Sequence, residues 1–130
     1  MTHAAVIRAA NARVVIFPEL SMTGYELDAD AISVHDSRLT PIVDACAAMG
    51  SLALIGAPVD AGRGRPEIAM LSVDGAGATV AYSKIWLHGS EAERFGPGPK
   101  PALVEVQGWR LGLAICRDIG VPRHAADTAA

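Results

Sequence analysis

The sequence predicts an α/β fold with a mixed β-sheet, and three observations support this fold class. Helical segments and short apolar runs alternate over residues 3–57, as they do in strand–helix–strand units. Two pairs of apolar segments follow, and each pair is joined by a glycine-containing turn that is typical of an antiparallel hairpin. The chain shows neither an internal repeat nor an obvious linker, so we expect a single domain over residues 1–130.

The first part of the chain is expected to form two helices, each followed by a strand. Residues 3–12 are rich in alanine, which favours a short helix. Pro18 ends the strand that follows, because proline has no N–H to donate to a sheet. Thr40 is a suitable N-cap for the second helix, with Pro41 in its first turn and Gly50 as its stop signal. A second buried strand follows that helix.

Turn signals divide the second part of the chain. The residues at 74–77, Asp-Gly-Ala-Gly, join two strands in a hairpin, and a further pair of strands surrounds Gly108. Segments 58–66 and 86–101 are rich in Gly and Pro and are expected to be loops, and a helix is expected to begin near Pro122. The strands predicted for the whole chain cover residues 14–17, 52–57, 68–73, 79–82, 102–106 and 111–115.

Composition and charge argue against several classes of function. A net charge of -3 and a pI near 5.7 give no electrostatic basis for binding nucleic acid or an anionic membrane. No apolar run is long enough to cross a bilayer and no signal peptide is evident, so we expect a cytoplasmic protein. The 4 histidines show no metal-ligand spacing, and no phosphate-binding loop is present, so we expect neither a metal nor a cofactor.

Three reactive side chains close or interrupt apolar segments: Glu19, Lys84 and Cys116. A cysteine thiolate is a nucleophile, a carboxylate can take the proton of the thiol, and an ammonium can stabilise developing negative charge, so together they would support covalent catalysis. Each residue alone has a simpler explanation, since such a cysteine is commonly a buried apolar residue and the other two are commonly solvated. Cys46 lies on the apolar face of a predicted helix and is interpreted as core.

Three motifs resemble those of the nitrilase superfamily of carbon–nitrogen hydrolases. Residues 17–25, FPELSMTGY, resemble the segment that carries the catalytic glutamate of that family. Residues 82–84, YSK, resemble the segment with its lysine, and residues 112–118, GLAICRD, resemble the strand and elbow with its nucleophilic cysteine. One such motif alone is weak to moderate evidence. All three occur here in the order found in the family, over nearly the whole chain, and that combination is strong evidence.

The resemblance implies a reaction and a set of site residues. Cys116 would attack the carbon of a small amide or nitrile and form a thioester acyl-enzyme, which water then hydrolyses. Glu19 would be the general base, and Lys84 would stabilise the tetrahedral intermediate. The backbone N–H of Arg117, which follows the nucleophile in the turn, would contribute to the same oxyanion site.

The loop after the lysine shows one further match with the family and one departure from it. The family often has a second glutamate ahead of a Phe and a Pro-Gly, and Glu91 is the preferred candidate here, with Glu93 as the alternative. A solvated loop carboxylate is the competing interpretation of either residue. Trp86 stands where the family commonly has a histidine. Tyr25, Trp86 and Trp109 are candidates for the lining of the substrate pocket.

The resemblance also implies an architecture, an α-β-β-α sandwich, of which this chain would form about half. We therefore expect helices on one face of the sheet and an uncovered apolar face on the other, and from that a homo-oligomer. The alternative to an enzyme is a catalytically inactive, truncated remnant or a self-associating interaction module. An N-acyltransferase of the same superfamily is a third possibility, although the missing membrane span disfavours its membrane-bound branch.

Overall fold

The computed structural model describes residues 1–130 and contains four helices and six strands. Two short 3-10 turns, Ser37–Leu39 and Cys116–Gly120, interrupt the loops. In chain order the elements are α1 (His3–Ala10), β1 (Val14–Ile16), α2 (Thr40–Met49), β2 (Leu52–Val59), β3 (Glu67–Asp74), β4 (Gly77–Ser83), α3 (Gly89–Ala92), β5 (Leu103–Val106), β6 (Trp109–Gly112) and α4 (Pro122–Ala129). None of the helices combines the length and the apolarity that a bilayer crossing requires.

Local signals explain most helix ends, with one exception at α2. The Gly50 stop is confirmed, because Gly50 adopts the left-handed conformation with φ 63° and donates its N–H to Cys46. The Thr40 cap is wrong: Thr40 is already helical, and Leu39 precedes the helix without a side-chain cap. The reason is the 3-10 turn that runs directly into α2, so that the Thr40 N–H already bonds the carbonyl of Ser37.

The main sheet is mixed, as predicted, and its four strands lie in the order β1-β2-β3-β4. Strands β1 and β2 are parallel, with α2 as their crossover, and the other two pairs are antiparallel. The predicted turn joins β3 to β4, where Asp74 pairs with Gly77 and the Asp74 carboxylate accepts the N–H of Ala76. This topology places the ends of β1 and β4 at the two margins of one sheet.

The last two strands do not join this sheet, so the expectation of six strands in one sheet is wrong. Strands β5 and β6 form a separate two-stranded sheet, and β6 ends at Gly112 rather than at residue 115. The last strand pair joins Gly112 to Leu103, the first residue of β5, and one further bond runs from the Leu113 N–H to the Ala102 carbonyl. The side chains of Leu113 and Ile115 are buried in the core. The apolar run at 111–115 therefore begins as a strand and continues as a buried segment outside it.

Alternating side chains of β2 and β3 build two cores, one on each face of the main sheet. Ala53, Ile55 and Leu71 face the first core together with residues of α1 and α2. Leu54 and Ile68 face the second core, where Leu20, Tyr82, Phe95, Leu113 and Ile115 cover them. The expectation of a bare second face is thus wrong for the central strands, because the segment after β4 brings its own apolar side chains across the sheet.

Apolar exposure is concentrated instead at a few margins. Strand β1 pairs only with β2, and Ile16 on this edge is 67% exposed. Trp109 in the hairpin and Ile119 after the cysteine elbow are 74% and 78% exposed. The helix–sheet–sheet order, with α4 against β6, agrees with part of an α-β-β-α arrangement.

Candidate active site

The Glu19 turn lies directly on strand β2. Pro18 ends β1, and Leu20 takes a left-handed conformation with φ 54°, which turns the chain back over the sheet. A Cβ atom at Gly56 would collide with the backbone nitrogen of Leu20 and lie 2.5 Å from the carbonyl oxygen of Pro18. Gly56 also accepts the N–H of Met22 at 2.9 Å. Only glycine allows the turn to approach so closely, so Gly56 sets the height of Glu19 above the sheet.

A second close crossing fixes Lys84. The Lys84 N–H bonds the carbonyl of Ile68, which extends the β3–β4 ladder by one step, and the Lys84 carbonyl accepts the N–H of Gly98. A Cβ atom at Gly98 would collide with the carbonyl oxygen of Ser83. The loop after β4 can therefore fold back onto the end of its own strand, and it places Glu91 beside Lys84.

Lys84 is fully buried, and its ammonium lies between two carboxylates. The Nζ atom is 2.5 Å from Oε2 of Glu19 and 2.9 Å from Oε1 of Glu91. Burial alone would lower the pKa of Lys84, but the hydrogen bonds and charges of Glu19 and Glu91 outweigh burial and raise it. Lys84 therefore stays charged although it is out of contact with water. An ammonium has three N–H donors, and three carboxylate oxygens lie within 3.2 Å of Nζ, one from Glu19 and two from Glu91.

Glu91 is as buried as the lysine that it faces. Its carboxylate accepts hydrogen bonds from the Tyr25 hydroxyl at 2.5 Å and from the His88 N–H at 3.0 Å, in addition to Lys84. Burial raises the pKa of Glu91, but these three donors outweigh it and lower the pKa below its ordinary value. Glu93 is exposed, so of the two candidates Glu91 is the one at the lysine.

Cys116 is exposed and adopts a left-handed conformation with φ 47°, which costs a residue with a Cβ atom about 1–2 kcal/mol. It stands at the start of the 3-10 turn that follows the buried Ile115. Cys116 and Glu19 line one cavity of about 180 Å³, whose other walls are mostly apolar. Strained backbone at an exposed nucleophilic side chain is typical of functional sites.

Tyr25 extends this cluster. Its hydrogen bond to Glu91, its burial, and the nearby charges of Glu91 and Glu19 raise the pKa of the Tyr25 hydroxyl. Tyr25 therefore stays a neutral hydrogen-bond donor within a group that contains both carboxylates and the thiol. The structure thus brings together Glu19, Lys84, Glu91 and Cys116, which lie far apart in the sequence.

Other predicted site residues have different positions. Arg117 directly follows Cys116 in the turn, and its side chain is exposed. None of the three candidates for the pocket lining, Tyr25, Trp86 and Trp109, is among the residues that line the cavity of Cys116, and Trp109 lies in β6 with its side chain largely in solvent. Trp86 contributes its backbone N–H, which bonds the carboxylate of Asp118.

Sequence reasoning missed the supporting residues, namely Gly56, Gly98, Tyr82 and Asp118. Asp118 lay within the recognised cysteine motif, but nothing in that motif showed that its side chain is buried and accepts three hydrogen bonds. The glycines gave no local signal, because their role comes from backbone crossings between distant segments. No group of three or more His, Cys, Asp or Glu side chains in the chain is arranged to hold a metal ion.

Comparisons with known proteins give the family and the fold to which this chain is similar. The family model for carbon-nitrogen hydrolases matches residues 1–130. A protein of Pseudomonas protegens described as a hydrolase in the pqqF 5' region is 29% identical over 95% of this chain and 46% of its own length. The chain therefore spans about half the length of this relative.

Solved structures with the same fold show the same partial coverage. A CN-hydrolase superfamily protein of Xanthomonas campestris with an arsenic adduct in its active site has a TM-score of 0.78 and 20% identity over 93% of this chain and 49% of that chain. A double mutant of the amidase of Nesterenkonia sp. AN1 in complex with acrylamide has a TM-score of 0.78 and 21% identity over 98% of this chain and 51% of that chain. At these identities the likeness establishes the fold.

The close crossing at Gly56 predicts a large effect of a single methyl group. We expect Gly56→Ala to lower the free energy of unfolding by about 1–3 kcal/mol or more, because the added Cβ overlaps backbone atoms that cannot move independently. Urea unfolding measures this change. Gly89→Ala is the matched control, since a Cβ there meets nothing within 4 Å. Equal stability of the two variants would contradict the close approach of the Glu19 turn to Gly56.

The charge network predicts a pH-dependent contribution of Glu91 to stability. The pKa of Glu91 is lowered in the folded chain, so its ionised carboxylate stabilises the fold above the ordinary value of 4.5, and this stabilisation is lost as the pH falls through the lowered value. We expect Glu91→Gln to destabilise the chain by roughly 1–3 kcal/mol near neutral pH and by progressively less in acid.

Urea unfolding of both proteins over a pH series tests this expectation. The exposed Glu93→Gln variant is the control, and its stability curve should follow that of the wild type at every pH. Parallel curves for the wild type and Glu91→Gln would show that the Glu91 carboxylate contributes no more when ionised than when protonated.

Proposed function

The chain belongs to the carbon–nitrogen hydrolase family, and from this premise we propose that it hydrolyses the carbon–nitrogen bond of a small amide or nitrile through Cys116. One observation supports this proposal above all. Glu19 lines the cavity of the exposed Cys116, and the buried Lys84 holds Glu19 at 2.5 Å, so that a base, a nucleophile and a charge stabiliser belong to one cluster.

For an amide, the proposed reaction begins at the thiol. Glu19 takes the proton of Cys116 as the sulfur attacks the carbonyl carbon, and the oxygen of the tetrahedral intermediate becomes an anion. The ammonium of Lys84 and the backbone N–H of Arg117 donate to that anion. Glu19 then returns the proton to the nitrogen, the C–N bond breaks, and ammonia or an amine leaves a thioester on Cys116.

Water completes the cycle at the same base. Glu19 accepts a proton from water as its oxygen attacks the thioester carbon, and a second oxyanion forms in the same position. The C–S bond breaks, the acid leaves, and the proton returns to the sulfur. Glu19 is suited to this exchange, because Lys84 holds its Oε2 atom while Oε1 makes no hydrogen bond within the chain.

Glu91 has a different proposed role, which is to position Lys84 and to keep it charged. Its Oε2 atom accepts hydrogen bonds from the Tyr25 hydroxyl and the Lys84 ammonium, and its Oε1 atom accepts the His88 N–H. A carboxylate with so many donors has little capacity to accept a further proton from a substrate.

Size and neutrality favour a small amide over a bulky or charged substrate. A cavity of about 180 Å³ with largely apolar walls has room for only a few non-hydrogen atoms beyond the reacting group. The solved amidase of Nesterenkonia sp. AN1, with the same fold, was studied in complex with acrylamide, a compound of this kind. We therefore propose a short neutral aliphatic amide as substrate, with the corresponding nitrile as the second choice.

A specific observation supports a second candidate function. The charge network is buried and its contacts lie within one copy, and Ile16 exposes apolar surface on an edge strand, so the chain is also a candidate for a non-catalytic, self-associating module that retains the network as part of its fold. In that case the cluster persists, because removal of either partner of a buried ion pair is strongly destabilising. Turnover separates the two candidates.

The substitution Cys116→Ala tests the catalytic proposal. We expect it to abolish ammonia release from acetamide or acrylamide, because no other nucleophile stands at the cavity, while the fold remains unchanged on circular dichroism. Cys46→Ala is the matched control. Cys46 is buried in the first core, which contains residues of α1 and α2, so this variant should retain turnover in the fraction that folds. Release that survives in Cys116→Ala would overturn the mechanism, and a folded wild type without turnover would favour the module.

We also propose that copies of the chain associate through the exposed apolar edge of β1, which includes Ile16. Burial of apolar area stabilises such contacts by about 25 cal/mol per Å². Sedimentation velocity over a concentration series should show association that Ile16→Glu weakens. Ala76→Glu adds the same charge at the exposed β3–β4 turn and should leave association unchanged. A concentration-independent monomer would contradict this proposal.

A further inference from the structure

We propose that Asp118 is a positioning residue that holds Cys116 in register with Lys84. This inference rests on the proposed function for its catalytic readout, but its geometric basis is separate. Asp118 is only 1% exposed and forms no ion pair within 4 Å, so a carboxylate has been buried without a cation partner. Such burial is costly unless donors surround the group, and here three donors do so.

The three donors come from both sides of the site. Oδ2 accepts the Tyr82 hydroxyl at 2.5 Å and the Ile115 N–H at 3.0 Å, and Oδ1 accepts the Trp86 N–H at 3.0 Å. Ile115 directly precedes Cys116 in the chain. Tyr82 and Trp86 stand two residues before and two residues after Lys84. One side chain therefore joins the backbone of the nucleophile to both flanks of the lysine.

The same residue closes the strained turn at Cys116. The Asp118 N–H donates to the Ile115 carbonyl at 3.1 Å, while the Asp118 carboxylate accepts the Ile115 N–H. This reciprocal pair encloses Cys116, whose φ of 47° is unfavourable for a residue with a Cβ atom. A turn of this kind persists only where its surroundings fix it, and Asp118 provides that fixation.

The donor arrangement also shows why an amide cannot replace the carboxylate. All three groups donate, and an ionised aspartate offers only acceptors. In Asp118→Asn the amide nitrogen must face either the Trp86 N–H or the Ile115 N–H, so at least one backbone bond is lost although the side chain keeps its size. A tryptophan in place of the histidine common in the family does not disturb this arrangement, because Trp86 bonds Asp118 through its backbone N–H and not through its side chain.

The rate of the chemical step depends on the relative placement of Cys116 and Lys84 more than the affinity for substrate does. Cys116 must meet the reacting carbon while Lys84 meets the developing oxyanion, and a misplacement of about 1 Å can lower the rate by about 10²-fold. Asp118 does not line the cavity, and Ile115 is the one cavity-lining residue to which it is hydrogen-bonded, so the effect should fall mainly on kcat and little on KM. Asp118 thus acts through Cys116 and Lys84 without contact with the substrate.

The experiment compares Asp118→Asn, Tyr82→Phe and Ser51→Ala in the full chain. Ser51→Ala is the matched control, since it removes a buried side-chain hydrogen bond, from Ser51 Oγ to the Ala12 carbonyl at 2.6 Å, at the opposite end of β2. Acetamide turnover at a temperature where all variants are folded gives kcat and KM. The alkylation rate of Cys116 by iodoacetamide, read by peptide mass spectrometry, gives a second readout that needs no turnover.

We expect Asp118→Asn to lower kcat roughly 10- to 100-fold with KM within about threefold, and to change the alkylation rate by at least about fivefold. Tyr82→Phe, which loses one of three bonds, should give a smaller change of the same kind, and Ser51→Ala should change neither readout. If the wild type shows no turnover, an alkylation rate that depends on Asp118 still supports the positioning role while the proposed function fails. A folded Asp118→Asn chain with wild-type kcat and alkylation rate would overturn it, whatever its melting temperature.

Discussion

The buried ammonium of Lys84 is the constraint on which the rest of the site depends. Transfer of a charged group out of water costs several kcal/mol even after the protein relaxes, and only close opposite charges and hydrogen bonds offset that cost. Glu19 and Glu91 provide them, at 2.5 and 2.9 Å. Glu19 lies 65 residues before Lys84 in the sequence and Glu91 lies 7 residues after it, yet both carboxylates must contact the same ammonium. The close backbone contacts at Gly56 and Gly98 make this convergence sterically possible.

Features set by local sequence were predictable, and features set by long-range contacts were not. Periodicity and turn chemistry located the helices, the β3–β4 hairpin and the two buried strands, because these features are local. The motifs identified Glu19, Lys84, Glu91 and Cys116. The crossings at Gly56 and Gly98 are long-range backbone contacts, and no local pattern distinguishes these glycines from the exposed Gly89. The pairing of β5 with β6 was predicted from the turn at Gly108, but their separation from the main sheet was not, because an apolar run does not specify which sheet its strand joins.

The second core shows how the chain covers its own sheet. Phe95, Leu113 and Ile115 cover Leu54 and Ile68, and the same segment carries Glu91 and leads to Cys116. Packing and site geometry are therefore coupled, because the apolar residues that anchor this segment also determine where its reactive side chains lie. The position of Asp118 is a consequence of that coupling. It stands where the segment returns to the end of β4, and its carboxylate satisfies donors that this return would otherwise leave buried without partners.

The charged contacts of the site lie within one copy of the chain, whereas its shielding from solvent is incomplete. All the charged groups of the cluster come from residues 19–116, and their mutual contacts are complete within one copy. The enclosure is less complete, because Cys116 is exposed and the nearby Ile16 and Ile119 show most of their side chains to solvent. Water at the nucleophile weakens the electrostatic stabilisation of an oxyanion, since the interaction energy falls as the effective dielectric rises. Any surface that covers these two isoleucines would therefore strengthen the proposed catalysis without a contribution of its own to the reaction. The exposed isoleucines beside Cys116 thus link the proposed association of this chain to its proposed activity.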